Sequence, residues 1–438
     1  MIDARFAPVA YGIGTLDEEL APGIYELTLR AGPRVEREIL RLVPGMREER
    51  DADLRFRSAA PLAGAADVRE SHRDAAVAAS RELAHAHGAD AGGLLIMLRS
   101  PGPVWREVGP DSVRALRVLR GDLSSVGEFQ ARYWTIGSDG WAVRAAAVAP
   151  GGHVLRRVQR GGTVDQALWV ASGWQTLVFV PQTAVGPATE LASIHMWPLH
   201  SPWDPMMAAE LDSAAELALW GLREGRAVVP PNLLSLLLRA KWSNPMAGIV
   251  GARSLLLPGA PSGADLAPII ANLEQLVGAH PDVLSLRLDV PAQQAAVDPV
   301  AWPPMLAASF RRLLRAAAES PMAIAGGSVA EQVAGRLVER GPWTAWRRLP
   351  DLRPRLSRDD GLGRLTRRAY GAIPDPSQPA LATSPEAERV ARHLAEVAGS
   401  SDRAKVRNAA EQRRPADIAA ATALPLTVVE DVLDSLLN

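Results

Sequence analysis

Five of the eight histidines, His72, His85, His87, His195 and His200, are the side chains best suited to metal binding or proton transfer. The run His85-Ala-His87-Gly-Ala-Asp90 has the composition of a ligand cluster. Ligands sharing a helix face need i,i+4 spacing, however, so His85 and His87 point to different sides and a half-exposed helix end explains them better. Further along, His195, Trp197, His200, Trp203 and Asp204 could converge on a pocket, since aromatic rings with a few polar groups suit a ligand. Aromatic packing between domains is the competing explanation. Glu18-Glu19 and Asp359-Asp360 are adjacent pairs, whose carboxylates point apart and suit solvated turns.

The remaining chemistries lack their residues. There is no cysteine, which removes disulfides, thiolate metal ligands and thiol nucleophiles. Lys241 and Lys405 are the only lysines, and neither lies in a phosphate-binding loop. No Gly-x-Ser-x-Gly elbow is present; Ala171-Ser172-Gly173-Trp174 and Gly326-Gly327-Ser328 lack the flanking glycines. No Gly-x-Gly-x-x-Gly follows a strand. A non-enzymatic protein without cofactor or bound metal is therefore expected.

The elements that would position these residues change character along the 438 residues. Strand alternation in Gly23–Arg30 sets Tyr25, Leu27 and Leu29 against Glu26, Thr28 and Arg30; Val35–Val43 and Asp53–Arg57 complete an expected β-sandwich-like domain over 1–67. A second β-rich, tryptophan-heavy domain over 68–203 holds one helix at Ser71–Ala86, and strands at Leu94–Leu98, Val154–Val158 and Gln175–Val180. A hairpin is expected there, with Phe129–Ile136 and Trp141–Val148 flanking Gly137-Ser138-Asp139-Gly140. Residues 204–340 read as an α-helical domain, with helices at Met207–Gly221, Asn232–Lys241, Asn244–Leu257, Asp265–Val277, Pro304–Ala318 and Ser328–Glu339, and an extended Val283–Val290. Residues 341–383 form an Arg/Pro/Gly-rich linker carrying Arg347, Arg348, Arg353, Arg355, Arg358, Arg364, Arg367 and Arg368. The fold class is α+β multidomain.

The last stretch, 384–438, reads as a winged-helix-like module in which Ile418, Ala419 and Leu424 pack on Val428, Val429, Val432 and Leu436. Its final helix offers Glu430, Asp431 and Asp434 with no arginine or lysine. Three carboxylates repel a duplex, so the helix suits a protein partner better than nucleic acid. A transcription regulator acting through this tail is the alternative, and a ligand sensor or enzyme at the Trp-rich seam is a third reading. The net charge of −1 supplies no general attraction to nucleic acid or to an anionic membrane. The opening Met-Ile-Asp-Ala-Arg-Phe has no apolar run behind it, and no window holds the ~20 apolar residues of a span, so a cytoplasmic protein without a membrane partner is expected.

Three stretches resemble non-catalytic regions of bacterial caspase-like defence and conflict-system proteins. They are Leu20-Ala21-Pro22-Gly23-Ile24-Tyr25-Glu26 with Phe56–Leu62; Lys241-Trp242-Ser243-Asn244-Pro245-Met246-Ala247-Gly248-Ile249-Val250-Gly251-Ala252 with Leu273–Leu284; and the winged-helix-like tail. The likeness covers about half the chain and its motifs are structural. It implies an adaptor, regulator or substrate of a caspase-like peptidase, because the cysteine that such a peptidase needs is missing here. The resemblance also implies cutting after arginine. Cleavage is thus expected between about 347 and 370, where exposed, flexible backbone would admit a protease. A plain interdomain tether is the other reading of the same segment.

Overall fold

The computed structural model describes residues 1–13, 16–31, 34–49, 58–62, 69–85, 91–101, 107–159, 162–206, 209–260, 265–290, 298–338, 341–347, 385–398, 409, 415–422, 429 and 433. It is a mixed α+β protein with several sheets and falls into two compact units, Met1–Ile324 with Arg336–Arg348, and Ala325–Gly335 with Leu349–Asn438. No helix among the described residues is long and apolar enough to cross a membrane.

The first unit begins with β1 (Ile2–Asp3), β2 (Gly23–Ala31) and β3 (Arg34–Leu42), which form one antiparallel three-stranded sheet in that order. The expected third strand, Asp53–Arg57, lies outside the described residues. Helix α1 (Glu70–His85) follows, then β4 (Gly92–Arg99), the short α2 (Pro110–Arg114) and β5 (Leu116–Arg120). Next come β6 (Thr135–Gly137), β7 (Trp141–Val148), β8 (Gly151–Gln159), β9 (Gly162–Val170), β10 (Trp174–Thr183), β11 (Gly186–Pro187) and β12 (Ser193–Pro198). The hairpin around Gly137–Gly140 is present, but residues 127–133 are two short 3-10 turns and only β6 pairs with β7.

Two sheets result. One is mixed: β10 pairs parallel with β4 and antiparallel with β11 and β12, and β7 and β6 extend it beyond β4. The other runs β13-β9-β8-β5, where β13 (Ala345–Arg347) returns from much later in the chain. Strand β4 explains the packing. Leu94, Ile96 and Leu98 enter one core, shared with the four-stranded sheet and the later helices, while Leu95 and Met97 enter a second with Ala76 and Ala79 of α1. A strand buried on both faces must be apolar at every position, which is what Leu94–Leu98 supplies.

The helices α3 (Ala209–Glu224), α4 (Pro231–Arg239), α5 (Pro245–Ser254), α6 (Leu266–Val277), α7 (Pro281–Arg287) and α8 (Ala307–Glu319) cover the first of those cores. Asn244 and Asp265 cap α5 and α6, each accepting a backbone N–H of the helix's first turn. The expected extended Val283–Val290 is instead helical at α7. Pro281 occupies its first turn, and His280 accepts the Asp282 backbone N–H as a cap, so local capping overrides the β-branched and leucine-rich pattern.

The second unit contains α9 (Val329–Val333), capped by Ser328, and helices at Pro385–Ala398 and Pro415–Thr422. Val390, Leu394, Ile418, Val429 and Leu433 are buried in it.

Candidate functional site

The strongest polar constellation is built on β12, an edge strand that the sequence reading passes over. Alternation along a strand puts residues i and i+2 on one face, so Ser193 and His195 project together. Helix α3 presents Asp212 and Glu216 one turn apart, on one face. Ser193 Oγ lies 3.2 Å from His195 Nε2, Asp212 Oδ1 lies 3.2 Å from Nδ1, and Glu216 Oε1 lies 3.6 Å from Nε2. Asn244, at the start of α5, accepts the Met196 backbone N–H at 3.1 Å and the Ala247 N–H at 3.2 Å through the same Oδ1. One side chain thereby caps a helix and closes a sheet edge.

A serine, an imidazole and a carboxylate in this order invite comparison with a nucleophilic triad. Its electrostatics run the other way. Burial lowers the affinity of His195 for a proton, but Asp212 and Glu216 outweigh that loss and push its pKa up to about 10. At neutral pH the ring is therefore an imidazolium, with no lone pair to take a proton from Ser193. Ser193 is also fully buried, its hydroxyl 3.5 Å from that of Ser58. The cluster joins β12, α3 and α5 as an ionic fastening, and Asn244 Nδ2 donates to Asp212 Oδ1 at 3.5 Å to complete it.

Of the five residues expected around a ligand, His195, Trp197 and Trp203 gather around Phe179 or its core. His195 and Trp203 are buried beside Phe179, with ring centroids 6.2 and 5.1 Å from it. Trp197 is partly buried against the same core, His200 is exposed, and Asp204 turns back to accept the Met206 backbone N–H at 2.9 Å. Asp212 and Glu216 belong with His195, and the sequence signal for them is two acids four apart flanking the apolar stripe of α3.

A second buried network lies between α5, α7 and α8. Arg253 donates to Asp289 Oδ2 at 2.7 Å and to Ser285 Oγ at 2.9 Å, while Arg312 donates to Asp289 Oδ1 at 2.6 Å. Asp282 accepts the backbone N–H groups of Met305 and Leu306. Burial pushes its carboxyl up to about 6, against the pull of those donors and of Arg253. Burial alone takes His280 down to about 3, consistent with a neutral ring whose Nδ1 accepts a backbone N–H. These groups hold backbone and one another in place.

An open cleft of about 450 Å³ is lined by Ala91, Val126, Val148 and Pro150 together with Arg120 and Glu128, which lie 4.0 Å apart. Among the described residues no group of three His, Asp or Glu side chains could hold a metal ion. His85 Nδ1–H donates within its own helix end to the Arg81 carbonyl at 2.7 Å, and His87 lies outside the described residues.

Arg347 ends β13, paired with Val164 of β9, and its side chain is exposed. Arg348, Arg353, Arg355, Arg358, Arg364, Arg367 and Arg368 lie outside the described residues, as do Glu430, Asp431 and Asp434. No family model, no curated protein and no solved structure matches the chain.

Proposed function

We propose that this chain is a non-enzymatic adaptor or regulator of a bacterial defence system, working through protein partners in the cytoplasm. One of those partners is a caspase-like peptidase that cuts the arginine-rich linker. The observation that carries the partner-binding role is where apolar surface is left open. Of the 18 large hydrophobic side chains exposed among the described residues, nine fall within the first 46 residues, including Phe6, Tyr11, Ile24 and Ile39. A patch of that kind marks a binding surface more often than a catalytic one.

The N-terminal region serves as a β-sandwich-like recognition domain in this reading, and the C-terminal unit as a winged-helix-like module that meets protein rather than nucleic acid. Strand pairing protects the backbone at Arg347, so cutting falls between about 348 and 370. Purified full-length protein should be incubated with the activated peptidase of the same system and its fragments mapped by mass spectrometry. Cleavage after one or more arginines of that segment is expected. An intact chain beside a fully processed control substrate overturns the peptidase assignment.

A further inference from the structure

We propose that the outer edge of β3 is a docking site for an extended acidic–apolar segment of a partner protein, which adds to the N-terminal sheet as a fourth strand. This rests on the partner-binding reading above and names its surface.

Strand β3 ends its sheet, so the backbone groups on its far side meet no strand among the described residues. Nine residues, Arg34–Leu42, are a full-length template for strand addition. Residues opposite one another in an antiparallel pair share a face. Ile24↔Arg41, Glu26↔Ile39, Thr28↔Arg37 and Arg30↔Val35 therefore make one surface. It is open: Ile39 is 66% exposed, Ile24 53% and Val35 41%. Three cations, Arg30, Arg37 and Arg41, stand among these apolar side chains with one acid, Glu26, which Arg37 approaches at 3.6 Å. The opposite face differs, since Tyr25 and Leu40 there are already buried.

Charge along β3 decides the occupant. A strand presenting acids opposite Arg37 and Arg41, and apolar side chains opposite Val35 and Ile39, satisfies every position on the open face. A second copy of this chain does not. Two-fold antiparallel pairing sets residues of one face opposite each other. Centring it on Arg37 stacks Arg37 on Arg37, centring it on Glu38 stacks Glu38 on Glu38, and centring it on Ile39 stacks Arg37 on Arg41. Charges that merely guard an edge against pairing would not be interleaved with an open valine and an open isoleucine, Val35 and Ile39.

Fluorescence anisotropy of a labelled, end-capped peptide Thr-Glu-Thr-Ile-Thr-Glu-Thr-Val against the full chain tests the site. Saturable binding is expected, weakened about tenfold or more by Ile39→Asp and by Arg37→Glu in variants that melt like the parent. The same peptide with lysine for its second glutamate should recover affinity for Arg37→Glu. Absence of saturable binding, indifference to both substitutions, or equal affinity of the parent for the lysine peptide overturns the inference. So does a parent dimer in sedimentation that Arg37→Glu dissociates, because the occupant is then a second copy. Linker cleavage with no peptide binding removes this edge and leaves the peptidase assignment standing; peptide binding without cleavage does the reverse.

Discussion

His195 shows how one buried residue can look like a reagent and act as a fastener. It is a cation held by the buried Asp212 and the partly buried Glu216, and removing one member of such a set strands the others. His195→Asn is expected to cost about 3–5 kcal/mol in urea unfolding, because two carboxylates then share a site without a counter-charge. The pH dependence has a definite sign. The folded pKa of about 10 exceeds the ordinary 6.5, so the contribution is complete below pH 6.5 and disappears as pH rises through about 10. Urea midpoints measured across that range should fall in the parent, and that component of the fall should be absent from His195→Asn. Asp282 adds a fall of the same direction in a lower window. Its pKa is raised from 3.8 to about 6, so folding binds extra protons there and stability declines as pH rises between those values.

At the scale of elements, two close fits hold the sheets in place. Arg99, at the end of β4 and fully buried, donates to the carbonyls of Ser58, Ala59 and Ala60, pinning the 58–62 segment onto the core that contains Leu95 and Met97. Arg99→Met keeps the stem and removes the donors. It is expected to cost roughly 3 kcal/mol and to speed amide exchange at 58–62 ahead of β4 itself, by hydrogen-exchange mass spectrometry. The second fit is Gly152 in β8, where a Cβ would fall inside the Trp302 ring, whose Nε1 donates to the Leu168 carbonyl at 3.1 Å. Gly152→Ala must push that ring aside, and a loss of about 1–3 kcal/mol with a lower Tm is expected.

For the whole molecule, the order of chain segments matters more than the count of domains. The chain leaves the first unit at Ile324, contributes Ala325–Gly335 to the second, returns as Arg336–Arg348, and leaves again. A cut in the linker therefore separates 325–335 covalently from the rest of the second unit without separating them in space. The nicked protein should elute as one species in size-exclusion chromatography under native conditions and as two in urea. Release of the C-terminal fragment on cutting would show that Ala325–Gly335 does not hold it.

Local pattern carries much of the secondary structure. The continuous apolar run of β4, the helix starts at Asn244, Asp265 and Ser328, and the alternation of β2 all depend on neighbours a few positions away, and all are legible. The sequence also excluded thiol chemistry outright, by having no cysteine. What only the tertiary structure decided are pairings across long separations. His195 stands out as a candidate in the sequence, but its partners Ser193, Asp212 and Glu216 come to it only through β12 and α3, and β13 becomes a strand only because β9 is there to pair with it. A proton's affinity for His195 depends on burial and on charges 17 and 21 residues away, quantities that no local pattern encodes.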